Sequence, residues 1–245
     1  MDRKLGAIFD VDGVLVDSYR AHFASWNVML AEHGRAVSEA EFAATFGRTS
    51  REIIAAIWPH GRLSEGQIAA LDARKEEAFR EILASEFPVM PGAAELLRSL
   101  DGDGFALAIG SSGPPENVEL VLDRLGLGRL FRAVVTGLDV TRGKPDPQVF
   151  LLAAQRLGIP PARCVVVEDA PLGIAAAKAA GMASVGLAST GRTRQMLAAA
   201  DLVVDSLGEL SPEVFRRLHF QRRGRESFFM SAREPTHTQK PFPPK

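Results

Sequence analysis

Short apolar runs recur along the chain at Leu5 to Phe9, Phe105 to Ile109, Ala133 to Val135, Cys164 to Val167, Ala183 to Leu187 and Leu202 to Val204. Each is bounded by polar or glycine-containing stretches and is rich in small, β-branched or aromatic residues, which predicts short buried strands. Between them, Glu95 to Leu100, Glu116 to Leu125, Val149 to Leu157 and Ile174 to Ala180 carry apolar residues at helical spacing. Gly126, Gly158 and Gly181 stand where those helices would end, and Pro115 and Pro147 stand where first turns would begin. Strand and helix in alternation imply the α/β class: a Rossmann-like, three-layer α/β/α core on a parallel sheet.

Ser18 to about Phe87 breaks that rhythm and reads as helices throughout. Tyr19, His22, Phe23, Trp26, Met29, Leu30 and His33 fall three and four residues apart, as one amphipathic stripe does. Ser38-x-x-Glu41, Thr49-x-x-Glu52 and Ser64-x-x-Gln67 resemble capping boxes opening three further helices, the second of which Pro59 would stop. The expected organisation is a discontinuous core over 1–17 and 88–218, an all-helical insertion over 18–87 that covers the first strand's end, and a disordered tail over 219–245.

Composition narrows the function. Across 245 residues the formal charge is −1, which gives no general reason to expect nucleic acid or an anionic membrane as partner. Beyond Leu218, Arg222, Arg223, Arg225, Arg233, Lys240 and Lys245 outweigh Glu226 and Glu234, so the body is acidic. An anionic substrate would need local positive charge there. Cys164 is the sole cysteine, which excludes an intrachain disulfide and a cysteine-based zinc cluster. No apolar run approaches the roughly twenty residues of a membrane helix, and the N-terminus lacks a signal-peptide pattern. A soluble cytoplasmic protein is expected, of undetermined oligomeric state.

The chemistry gathers at the ends of the strands. Asp10-Val11-Asp12-Gly13 ends the first apolar run, at the edge where open α/β sheets bind ligands. The two aspartates are either a catalytic pair or caps for the helix after the strand. Ser111 and Ser112 come after the second run, with Ser111 either a helix cap or an anion donor. Lys144 sits in Gly143-Lys144-Pro145-Asp146-Pro147, and Glu168-Asp169 directly succeeds the fourth run. A carboxylate pair there needs a metal, a cation or a proton.

In this order the motifs resemble the haloacid dehalogenase superfamily, over Leu5 to about Leu210, with Glu168-Asp169 running into Ala170-Pro171-Leu172-Gly173-Ile174. The helical insertion, Asp17-Ser18, His22 and Trp26 look most like its β-phosphoglucomutase-like branch. The resemblance implies that Asp10 is the nucleophile, forming an aspartyl phosphate, and that Asp12 moves protons, for which a raised pKa in a sheltered site is expected. It implies Mg2+ held by Asp10, the Asp12 backbone carbonyl and Asp169, with Glu168 beside them. Lys144 would neutralise charge at the phosphoryl group, and the Ser111 hydroxyl would donate to its oxygens.

In the insertion, His22, Trp26, Arg51 and, from the core, Ser112 are the substrate-facing candidates. His22 and Trp26 also fit a packed stripe. Arg51, in the first turn of a helix, opposes the helix dipole and so suggests an anion nearby, with Arg48 in the same loop. Aligned on His22 and Arg51, Gly47 replaces the cap lysine of the glucose mutases, and Ser112-Gly113-Pro114-Pro115-Glu116-Asn117 departs from the mutase loop. These departures favour a Mg2+-dependent phosphatase of small sugar or polyol phosphates. A phosphomutase and a catalytically silent sugar-phosphate-binding module are the alternatives, with dehalogenation further off.

Overall fold

A computed structural model describes residues 4–45, 49–58 and 63–220. Pro59, Gly47, Arg48 and the tail over 221–245 lie outside the described residues.

Six strands form one parallel sheet: β1 (Gly6–Phe9), β2 (Ala106–Gly110), β3 (Phe131–Val135), β4 (Cys164–Glu168), β5 (Ala183–Leu187) and β6 (Leu202–Val204), in the order β3-β2-β1-β4-β5-β6. Side chains alternate between its faces. Ala7, Phe9, Leu107, Ile109, Val165 and Val167 pack on one side against α5 (Ala93–Gly102), α6 (Pro115–Leu125) and a last helix over 212–220. Ile8, Ala106, Ala108 and Val166 pack on the other against α7 (Gln148–Leu157) and α8 (Pro171–Ala179). The three layers arise from that alternation, because the central strands β1, β2 and β4 are apolar on both faces and need helices on each.

Of the boundaries that differ from the sequence reading, two have a plain cause. The helix expected from Ile174 begins at Pro171, since a first turn has no use for the proline's missing N–H. The last helix includes His219 and Phe220, with buried His219 placing Nδ1 3.0 Å from the Ala162 carbonyl, so order extends past Leu218.

Four helices lie between β1 and α5: α1 (Tyr19–Ala31), α2 (Glu39–Thr45), α3 (Ser50–Ile57) and α4 (Glu65–Ser85). Thr49 and Ser64 each accept from the third residue of their helix and receive that side chain in return, and Ser38 with Glu41 does the same. Each box contributes about 1 kcal/mol to starting its helix. The stripe on α1 ends at Leu30, because the helix stops at Ala31; His33 lies beyond it, exposed, with its ring 5.8 Å from that of Trp58. Tyr19, Trp26, Met29, Leu30, Phe42, Ile53, Ile54 and Leu71 form a core of their own. The two chain crossings between helices and sheet run side by side: Asp17 N–H donates to the Pro88 carbonyl at 2.9 Å, and Met90 N–H to that of Leu15 at 3.0 Å. Among the described residues, no helix is long and apolar enough to cross a membrane.

Candidate active site

Sheet register assembles the site. Phe9 pairs with Ile109 of β2 on one side and with Val167 of β4 on the other, so the residues leaving all three strands emerge together. Order β2-β1-β4 is also where the chain reverses its direction of sheet growth, the crevice at which such sheets bind ligands. Asp10, Glu168 and Asp169 thus converge, each buried, with one carboxylate oxygen from each within 4.8 Å of the others.

Two glycines make room for this. Gly13 sits at φ +70°, and a Cβ there would overlap Asp169 Oδ2; a Cβ on Gly173 would overlap Glu168 Oε1. Neither position tolerates a side chain without displacing a carboxylate.

Lys144 supplies the central cation. Its Nζ lies 3.1 Å from Asp10 Oδ1 and 2.5 Å from Glu168 Oε1, over the Phe150 ring, at the end of a cis Lys144–Pro145 peptide. Burial opposes its charge, but Asp10 and Glu168 more than offset that and push its pKa up. Arg192, on the loop after β5, adds a second buried cation with Nε 3.7 Å from Asp169 Oδ2. Three carboxylates against two cations leave the cluster negative. Burial is the largest cause of a rise in Asp10 to about 7, reinforced by Glu168 and Asp12 and opposed by Lys144. Burial, then Glu168 and Asp10, likewise pushes Asp169 well above the carboxylate range. Hard oxygen donors, close together and short of positive charge, fit Mg2+.

Asp12 differs from expectation. Its carboxylate stands outside that cluster, with Oδ1 3.2 Å from His22 Nε2. Burial pushes its pKa up, yet the contact with His22, the Ser18 hydroxyl and Lys75 beyond them hold the carboxyl down, to about 2. The expectation of a raised value considered shelter alone; the partners that the helices bring outweigh it.

His22 also stacks on Phe79 with ring centroids 4.0 Å apart, so it both packs and bonds. Lys75, on α4, places Nζ 3.0 Å from His22 Nδ1. An ammonium can only donate, so Nδ1 accepts and the ring proton is assigned to Nε2, facing Asp12. Trp26 is buried in the helical core, with Lys75 Nζ 5.8 Å from its ring centroid. Ser111 is buried, its Oγ accepting from Gly113 N–H at 3.0 Å, and Ser112 is exposed beside it. Arg51 sits in the first turn of α3 beside the cavity, and the anion it meets is Glu65, at the start of α4.

A cavity of about 900 Å³ separates the two sides. Asp10, Asp12, Ser111, Ser112, Lys144 and Asp169 line it from the sheet, and His22, Trp26, Arg51, Asp72, Glu76 and Arg80 from the helices. The sequence reading missed Lys75, although it occupies a position of the Leu71-Lys75-Phe79-Leu83 stripe where every other residue is apolar. Nothing in the sequence around Arg192 marks it beyond its place after a strand.

Residues 5–181 match the family model for haloacid dehalogenase-like hydrolases. A fructose-1-phosphate phosphatase from Escherichia coli is 36% identical over 186 residues, 75% of this chain and 96% of that protein. A β-phosphoglucomutase from Bacillus subtilis is 32% identical over 226 residues, 90% of this chain and 97% of that one. Among solved structures, a β-phosphoglucomutase from Clostridium difficile superposes with a TM-score of 0.80 at 25% identity, over 90% of this chain and 99% of that one.

Proposed function

We propose that this chain, which belongs to the haloacid dehalogenase-like hydrolase family, is a cytoplasmic Mg2+-dependent phosphatase of small sugar or polyol phosphates, with the helices over 18–87 as a mobile cap. The carrying observation is the buried meeting of Asp10, Glu168 and Asp169 with Lys144 inserted between the first two.

Asp10 attacks phosphorus, and the leaving oxygen departs as the aspartyl phosphate forms; water then attacks that phosphorus and restores the carboxylate. Mg2+, when bound, offsets charge on the phosphoryl oxygens; Asp10, Asp169 and the Asp12 carbonyl would hold it, beside Glu168. Lys144 stabilises the same charge from its fixed position, and Ser111 donates its hydroxyl proton to a phosphoryl oxygen. Asp12, held in place by His22, gives a carboxyl proton to the leaving oxygen in the first step and takes one back from the incoming water in the second. The helices exclude bulk water from this chemistry, and Arg51, Trp26 and Ser112 meet the rest of the substrate.

A panel of hexose, pentose and polyol phosphates with Mg2+ tests the reading by phosphate release. Turnover of one class is expected. No release across the panel, or conversion of a hexose 1-phosphate to its isomer without free phosphate when a bisphosphate primer is present, would overturn it.

A further inference from the structure

Asn117 is a buried polar group of the sheet side to which the chemistry above gives no task. It lies in the first turn of α6 and is 4% exposed. Its amide faces α4 with both ends engaged: Nδ2 donates to Glu76 Oε2 at 2.6 Å, and Oδ1 accepts from Arg80 Nη1 at 3.0 Å. Glu76 uses its other oxygen for Lys75 at 2.8 Å and for the Ser50 hydroxyl at 3.2 Å. Lys75 in turn meets His22 at 3.0 Å, and His22 meets Asp12 at 3.2 Å. A continuous polar chain therefore leaves the core at Asn117, passes through two helices of the insertion and re-enters the core at Asp12.

We propose that Asn117 is the core-side latch of the closed cap and, through Glu76, a positioning residue that keeps Lys75 and His22 aligned on Asp12. The proposal rests on the reading of residues 18–87 as a cap that moves. Asn117 belongs to the sheet side, whereas Glu76 and Arg80 both belong to α4, so these bonds exist only while α4 lies against α6. Opening leaves an amide, a carboxylate and a guanidinium to be satisfied by water, and it removes the bond at Oε2 that orients the Glu76 carboxylate, whose other oxygen holds Lys75. Bonds to charged partners are the stronger kind, and they are made in one of the two states alone, which is what a shift in population requires. Closure and alignment of the proton-carrying carboxylate thereby become one event.

Distance measurement by pulsed electron resonance tests the latch, with spin labels on Ala56→Cys in α3 and Asp123→Cys in α6, both exposed sites. The native Cys164 stays unlabelled, because burial encloses it and pushes its thiol up to about 12. In the full chain with Mg2+ and inorganic phosphate, Asn117→Ala should raise the ratio of long to short distances about tenfold. Asn117→Asp sets a second carboxylate against Glu76 and should raise it further; adding Glu76→Gln supplies an amide donor and should bring it back toward the wild type. The ring ¹⁵N shifts of His22 should report the Nε2–H form in the wild type and a tautomer mixture in Asn117→Ala. Unchanged distances in both single variants, no rescue by the double variant, or an unaltered His22 signature would each overturn the proposal. None of these readings needs turnover, so failure of the substrate panel would sink the phosphatase reading separately.

Discussion

The two walls of the cavity are both polar, but they are held in different ways. On the sheet side, Asp10, Ser111 and Asp169 leave neighbouring parallel strands whose register is fixed by backbone hydrogen bonds, and Gly13 and Gly173 leave the room that the Asp169 and Glu168 carboxylates fill. On the helical side, Lys75, Glu76 and His22 are positioned by one another and Arg80 by Asn117 across the boundary, side chain to side chain. The first arrangement is rigid and independent of substrate. The second depends on where four helices lie. Chemistry that is the same for every phosphate ester belongs on the first wall, and recognition that differs between esters belongs on the second.

Removing the proposed nucleophile should break the site completely. Asp10→Asn is expected to lower phosphate release by a factor of at least about 10⁴, while circular dichroism shows the fold retained. The distinction between the walls fails if a variant on the helical side loses as much.

The same substitution should affect stability in the opposite sense. Asp10 in the folded protein titrates at about 7, against an ordinary 3.8. Between those values the folded form keeps a proton that the unfolded chain has lost, so metal-free stability falls as pH rises through the window, with the cost complete above it. Asn carries no such cost, and Lys144 keeps Glu168 as its partner. In EDTA near pH 8, urea unfolding should find Asp10→Asn more stable than the wild type by about 2–4 kcal/mol, with the difference vanishing near pH 4. Saturating Mg2+ should reverse the order, since the wild type regains what the ion contributes and the variant has lost a ligand. A variant less stable than the wild type in EDTA at the higher pH would show that the carboxylate cluster is not under strain.

Legibility in the sequence divides along the same line. Asp10, Ser111 and Glu168-Asp169 could be found because each succeeds a short apolar run, and the parallel order of those runs brings them together. The helices and three of their caps were equally plain, since period and capping residues are local signals. The helical wall was not legible, because its partners come from helices far apart in sequence. Lys75 to His22 and Asn117 to Glu76 span 53 and 41 positions. The depressed carboxyl of Asp12 was missed for that reason, burial being visible in the pattern while the imidazole that outweighs it was not. Arg51 illustrates the same limit: its position demanded an anion, and only the packing of α3 beside α4 identifies Glu65 as one.

Arg51 offers the sharpest comparison with Asp10. If it meets the far end of the substrate after releasing Glu65, Arg51→Ala should raise KM about tenfold and leave kcat within about twofold, the pattern of binding that is equal in ground and transition states. Glu65→Ala should lower KM, because the guanidinium is then uncommitted. Equal losses of kcat and kcat/KM in Arg51→Ala would place it with the chemistry and blur the division between the walls.

The smallest effect expected is a pH dependence confined to the helical wall. Burial pushes the Glu76 carboxyl up, but Lys75, His22 and the Asn117 amide hold it below its ordinary 4.5. Asp72, also on α4, faces the same cluster, and burial, then Glu76, pushes it up, with Ser50 and Lys75 opposing. A depressed carboxyl stabilises the fold fully above its unfolded value and loses that contribution as pH falls through the folded one. The gap in unfolding free energy between the wild type and Glu76→Gln should therefore be constant at neutral pH and shrink below pH 4.5. This trend opposes that of Asp10, whose burden lightens with acid over part of the same range. Opposite slopes from the two walls, measured in one metal-free protein, would separate a side built to receive a cation from a side already paired. A gap for Glu76→Gln that widens with acid would mean that its carboxylate is strained like those on the sheet, and the contrast between the walls would not hold.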